Sequence, residues 1–140
     1  MSNAENSPHL PIEDFRKYGY QLVDWLADYF SNIGDQRILP DITPGDIRSM
    51  LPEGAPEQPE SMDDILSDLD RVVMPGIAHW QHPGWFAFFP SGVSPVSVLG
   101  EFVAAGLATQ GMMWSTAPSP TEIENTVLDW LVDLLGLPPA

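Results

Sequence analysis

Residues 12–33, IEDFRKYGYQLVDWLADYFSNI, place Phe15, Tyr18, Leu22, Trp25, Tyr29 and Ile33 at steps of three and four. That spacing marks one face of an amphipathic α-helix. Glu13 and Asp14 suit its start and Gly34 its end. At ~1.5 Å per residue the rod is about 33 Å long. Its stripe is aromatic, which at helical spacing points to core or interface packing rather than to a ligand site.

Downstream the pattern changes. Between Asp35 and Glu60 the chain meets prolines at 40, 44, 52, 56 and 59. Proline removes a donor and disfavours helix in the residue before it, so this is an extended connector. One short helix fits inside it, with Thr43 as N-cap and Pro44 at N1. Ser61 caps the next helix, with Asp64 as an imperfect capping box and Ile65, Leu66, Leu69, Val72 and Val73 on one face. Pro75-Gly76 stops it. Across 91–111, Ser94 and Pro95 open a helix in which Gly100, Ala104 and Ala108 form a ridge of small residues. Glu101, Ser97 and Thr109 dilute its apolar run, so a close-packed interior helix is expected rather than a membrane span. In SPTEIENTVLDWLVDLLGLP, Ser119 reads as N-cap, Pro120 as N1 and Glu122 as the far side of a capping box. Gly136, Leu137 and Pro138 read as a Schellman stop.

The totals exclude several classes of function. Twenty acids against five basic residues give −15, which opposes binding to nucleic acid and to anionic membrane surfaces. Without cysteine there is no disulfide framework, which is compatible with a reducing cytoplasm. The first residues lack the basic and apolar regions of a secretory signal. All five basic residues and fifteen of the acids fall before residue 72, leaving five acids in the remainder. So charge-poor a half is expected to be covered, by a second copy or by further chain.

Residues 79–90, HWQHPGWFAFFP, gather five rings, two histidines and two prolines without one formal charge. They can form an ordinary core loop or the wall of an apolar pocket. His79 and His82 are three apart, but Pro83 opposes a regular helix and no third ligand is near. A hydrogen-bonded structural or substrate-side role is expected in place of metal binding. No G-x-S-x-G is present. The single lysine, Lys17, lies in an early, polar turn of the first helix, where a reactive amine is not expected.

MPGIAHWQHPGWFAFFPSG, GMMWSTAPSPTEIENTVLDWL and the terminal LLGLP together resemble the amino-terminal part of the group II pyridoxal-phosphate-dependent decarboxylases, nearest to the aromatic-L-amino-acid decarboxylase branch. The likeness runs from Glu13 to Pro138. It implies a mainly α arm with a Pro-rich connector, leading into a pyridoxal-phosphate transferase fold of the aspartate aminotransferase type that these residues do not contain. Residues 1–11 read as a disordered or tag-like tail; the resemblance implies a helical dimerisation segment over 12–78 and a pocket loop with the first helices of the cofactor domain over 79–140. By position, Trp80, Phe88, Phe89, Pro90 and Ser91 would bind the substrate. Phe88 and Ser91 stand where the family often has tyrosine and threonine; without the phenol hydroxyl a catechol preference is not implied, whereas an indole or phenyl substrate is compatible. Gln110 and Met112 match a loop that reaches the partner subunit's pocket, although both differ from the aliphatic and aromatic types expected there. The implied whole is a cytoplasmic homodimer that uses pyridoxal 5'-phosphate on a small aromatic amino acid. The segment alone is expected to be inactive, with no cofactor or metal of its own. The alternative is a free-standing acidic helical interaction module.

Overall fold

Helix α1, Ile12–Asn32, forms where the stripe places it and tightens into a 3-10 turn at Ile33–Asp35. The computed structural model describes residues 10–90 and 92–138. These fall into two compact units that divide between residues 91 and 92, so the 79–90 loop lies with the elements before it. Among the described residues there is no strand. No described helix is long and apolar enough to cross a membrane.

In the first unit, α2 is short, Asp46–Met50, and α3 spans Met62–Asp68. The expected start of α2 moves by two residues. Gly45, at φ 108°, is its N-cap, and Thr43 turns outward to donate both its N–H (2.6 Å) and its hydroxyl (2.9 Å) to the Asp46 carboxylate. Only glycine takes that φ without strain, which is why the cap falls there. At α3 the expected cap is present: Ser61 Oγ accepts from the Asp64 N–H at 3.1 Å.

The chain then widens into a π turn, Leu69–Val73, closed by Met74 N–H on the Leu69 carbonyl. A 3-10 turn follows at Met74–Gly76. A π turn advances the side chains by less per residue than an α turn and so shifts their phase. Past the start of this turn Val72 is buried and Val73 exposed; Ile65 of the expected stripe, in α3 before it, is exposed as well.

α1 and the 61–79 stretch are joined by three side-chain bonds. Tyr18 donates to Asp63 Oδ2 (3.1 Å), Trp25 Nε1–H donates to Asp70 Oδ1 (3.0 Å), and Tyr29 Oη pairs with His79 Nδ1 (2.9 Å). The partners rise together in number, so the two stretches run parallel. Parallel neighbours need a return crossover, and the proline connector is that crossover. Its Ile42 and Ile47 lie against Gly76, where an added Cβ would meet Ile47 Cδ1 at 3.1 Å.

In the second unit, α4 is Pro95–Leu107 and α5 is Pro118–Leu134. Ser94 caps α4 reciprocally with Ser97, a capping box built from two serines. The helix ends at Leu107 with Ala108 left-handed at φ 50°. The expected burial of α4 is not seen. Leu99, Val103 and Leu107 are exposed, and nothing approaches the Cβ position of Gly100 within 4 Å.

α5 also starts differently. Its N-cap is Ala117, whose carbonyl takes the Thr121 N–H (3.1 Å) and hydroxyl (2.8 Å). Pro118 and Pro120 both fall in the first turn, where the missing N–H groups have no intrahelical partner to lose. Ser119 is therefore inside the helix and Glu122 is released from capping. The stop is as expected. Gly136 sits at φ 64°, with its N–H on the Asp133 carbonyl (3.1 Å) and Leu137 N–H on that of Val132 (3.0 Å), a Schellman motif.

Two expectations follow. Gly136→Ala should weaken the end of α5 by ~1 kcal/mol, and Ala108→Gly should firm the end of α4 by up to ~1 kcal/mol; amide exchange at the last turn of each helix measures both. The Thr43 N–H, then its hydroxyl, hold the Asp46 carboxyl below its ordinary value of 3.8. Its contribution is present above that value and is lost as pH falls through the lower folded value. Protection of the Thr43 amide, relative to its intrinsic exchange rate at each pH, should therefore fall at acid pH, and Asp46→Asn should remove that pH dependence.

Candidate functional site

The 79–90 loop is built from two successive turns that share His82. His82 N–H bonds the His79 carbonyl (2.9 Å) and Trp85 N–H bonds that of His82 (2.9 Å). Pro83 takes the second position of the latter turn, which its fixed φ suits. Gly84 is closely approached: a Cβ there would meet Ile38 Cδ1 at 2.9 Å and His82 Nδ1 at 3.1 Å.

Three rings of the loop gather. Trp80 stacks on Trp85 with centroids 4.9 Å apart and on Phe88 at 5.8 Å, both at 27° between planes. Trp85 and Phe88 are 6.3 Å apart. Trp85, only 8% exposed, donates its indole N–H to the Ala87 carbonyl at 2.6 Å and forms the base of the cluster. Trp80 is 46% exposed, Phe88 78% and Phe89 99%. Pro90 is exposed too, and Ser91 lies outside the described residues. The candidate residues Trp80 and Phe88 thus stand together, with Phe89 and Pro90 continuing the same segment.

Phe88 holds φ 56°. For a bulky L-residue the left-handed region costs about 1–2 kcal/mol and persists only where surroundings impose it. The contacts to Trp80 and Trp85 are the ones that do so here. The cluster thus leaves the flat apolar surface of Trp80 and Phe88 exposed.

The histidines bind hydrogen-bond partners. His79 is 4% exposed; its ring meets Tyr29 and its N–H bonds the Ile38 carbonyl at 3.0 Å. Burial, then the neighbouring His82, lower its pKa below the ordinary 6.5, and burial raises that of the Tyr29 phenol. His82 Nδ1 accepts from the Gly84 N–H (2.8 Å), so Nε2 carries the proton and donates to the Gly34 carbonyl (3.1 Å). Among the described residues no group of three acids or histidines is placed to hold a metal. Sequence spacing brought the two histidines to notice; their partners 48 and 50 residues away carry no local signal.

Lys17 is half-exposed, with Nζ 3.4 Å from Tyr18 Oη, 3.8 Å from Asp63 Oδ1 and 4.4 Å from the Tyr18 ring centroid. The bond to Tyr18, then the charge of Asp63, raise its pKa. It is a bound ammonium.

In the second unit, Gln110 and Met112 help line an open depression of about 490 Å³ with Leu107, Met113 and Thr116. Trp114 ties this loop to α5 by donating its indole N–H to Glu122 Oε1 at 2.7 Å. That bond takes up the carboxylate the capping box was expected to use, and no helix-start signal reports it.

The chain is similar to known proteins over most of its length. The family model for the pyridoxal-dependent decarboxylase conserved domain matches residues 44–140. Phenylacetaldehyde synthase of Arabidopsis thaliana is 44% identical over 99% of this chain, and human histidine decarboxylase is 42% identical over 90%. The chain spans only 29% and 19% of those two proteins. The crystal structure of Catharanthus roseus tryptophan decarboxylase with L-tryptophan superposes with a TM-score of 0.87 at 40% identity, covering 94% of this chain and 28% of that one. With the ring cluster, the helical arm and this match in hand, the chain belongs to the pyridoxal-dependent decarboxylase family.

Proposed function

We propose that these residues are the substrate-side wall and subunit-contact arm of a pyridoxal-dependent carboxy-lyase acting on an aromatic amino acid. The observation that carries the reading is the Trp80–Trp85–Phe88 cluster with Phe88 held left-handed. In this reading Trp80, Phe88, Phe89 and Pro90 cover the faces of the substrate ring and exclude water from it, and Ser91 offers a hydroxyl near its polar end. Stacked and edge-to-face ring pairs contribute about 0.5–1.5 kcal/mol beyond burial. Phe88 carries no hydroxyl, which favours an indole or phenyl ring over a catechol. Gln110 and Met112 extend toward the pocket of a second copy.

The residues present do not fit a pyridoxal group themselves. Forming an imine requires an unprotonated amine, and Lys17, the chain's one lysine, is held as an ammonium by Tyr18 and Asp63. In this reading the cofactor's imine-forming amine comes from outside these residues, and decarboxylation by this segment alone is not expected. The homodimer is supported by the second unit, where Val103, Leu107, Trp130 and Leu134 are exposed on helices with few charges. A cytoplasmic location is supported by the cysteine-free composition.

A chimera tests the reading. These residues, replacing the matching part of the Catharanthus roseus tryptophan decarboxylase, should release carbon dioxide from L-tryptophan. Phe88→Ala in the chimera should lower kcat/KM about 10- to 100-fold, the range given by one lost buried ring. A folded, cofactor-loaded chimera indifferent to Phe88→Ala would overturn the wall assignment. Separately, pyridoxal phosphate followed by borohydride should leave Lys17 of the 140-residue chain unmodified by mass spectrometry, whereas a stoichiometric adduct there would show that the amine is reactive after all.

A further inference from the structure

The ring cluster is not held by its own loop alone. His79 precedes Trp80 directly, and its buried ring is bonded to Tyr29 of α1, while its N–H is bonded to Ile38 of the connector. Three residues on, His82 bonds the Gly34 carbonyl through Nε2 and the Gly84 N–H through Nδ1. The two turns that aim Trp80 and Trp85 are thus fastened at both histidines to one place, the end of α1 and the turn after it. We propose that Tyr29, His79 and His82 are positioning residues that set the stacked Trp80–Trp85 surface, a latch between α1 and the substrate wall. This rests on the wall reading above for its purpose.

The groups have matched chemistry. A neutral imidazole has one donor and one acceptor nitrogen, and His82 uses both, one on each side of the loop. His79 is faced by the Tyr29 hydroxyl from α1, by the Ile38 carbonyl from the connector and by His82 from its own loop. None of these is an anion that would stabilise imidazolium, and a charge on His82 would oppose a second one. A buried histidine without a compensating anion folds best when neutral. With its folded pKa below the ordinary 6.5, the latch is fully closed above that value and opens as pH falls through the folded value.

Hydrogen exchange and circular dichroism of the 140-residue chain test the latch at pH 7 and across the acid range. The stacked indoles should give an exciton couplet, assigned by its loss in Trp85→Phe. Tyr29→Phe should reduce protection of the His79, Gly84 and Trp85 amides about twofold to tenfold, the effect of one hydrogen bond, and weaken the couplet. The first turns of α1 should be unaffected. His79→Gln, which keeps an amide partner for Tyr29 but does not titrate, should flatten the loss of the couplet below pH 6.5. Unchanged protection and couplet in Tyr29→Phe, or an acid limb that persists in His79→Gln, would overturn the proposal.

If Tyr29→Phe loses the helix signal itself, the His82 pair decides. His82→Asn keeps an acceptor for the Gly84 N–H and should keep most of the couplet, whereas His82→Leu should lose it. Equal couplets in the two variants would likewise overturn the latch. Turnover by the chimera judges the wall, and protection and couplet judge the latch, so failure of one is distinguishable from failure of the other.

Discussion

The first unit depends on three polar tips carried by one aromatic stripe. Tyr18, Trp25 and Tyr29 each present an apolar body to the unit and a single polar atom at the end of it, and those atoms meet Asp63, Asp70 and His79. Each such bond contributes only about 0.5–1.5 kcal/mol net, but a buried tip left unpaired costs more than that. The bonds consequently specify register more than they add stability. A slip of α1 by one residue would point all three tips away from their partners. Parallel alignment follows from this register, and the proline-rich crossover follows from parallel alignment.

The same constraint reaches the candidate site. The last bond of the series ends on His79, immediately before Trp80, so the orientation of α1 is passed into the ring loop without an intervening flexible residue. There, Gly84 allows the connector to approach closely and Trp85 forms a base for Trp80 and Phe88. Phe88 retains a backbone conformation it does not favour. Strain of that kind needs a surrounding structure that over-determines it, and the fastened turns provide one.

The second unit is organised differently. Its helices begin and end on local signals: reciprocal serines at α4, two prolines in the first turn of α5, and a Schellman stop at Gly136. Trp114 and Glu122 add a bond between the loop and α5. Most apolar side chains of α4 and α5 are exposed, and only Ala117 is buried there among the described residues. The two relatives compared above are several times longer than this chain.

Local chemistry was legible in the amino-acid sequence. The stripe of α1, the Ser61 and Ser94 caps, the Gly136 stop and the extended connector all follow from periodicity, proline and glycine, because each is decided within a few residues. The ring-dense loop and the match to the family were legible for the same reason, being contiguous. Glu122 and Thr43 were misplaced because each had two local roles open, and a contact or a neighbouring glycine chose between them. The phase shift at the π turn, the positive φ of Phe88 and the fastening of His79 and His82 to α1 came only with the tertiary structure. They join atoms separated by tens of residues, or depend on space left by a neighbour, and neither spacing nor propensity in one chain encodes such a distance.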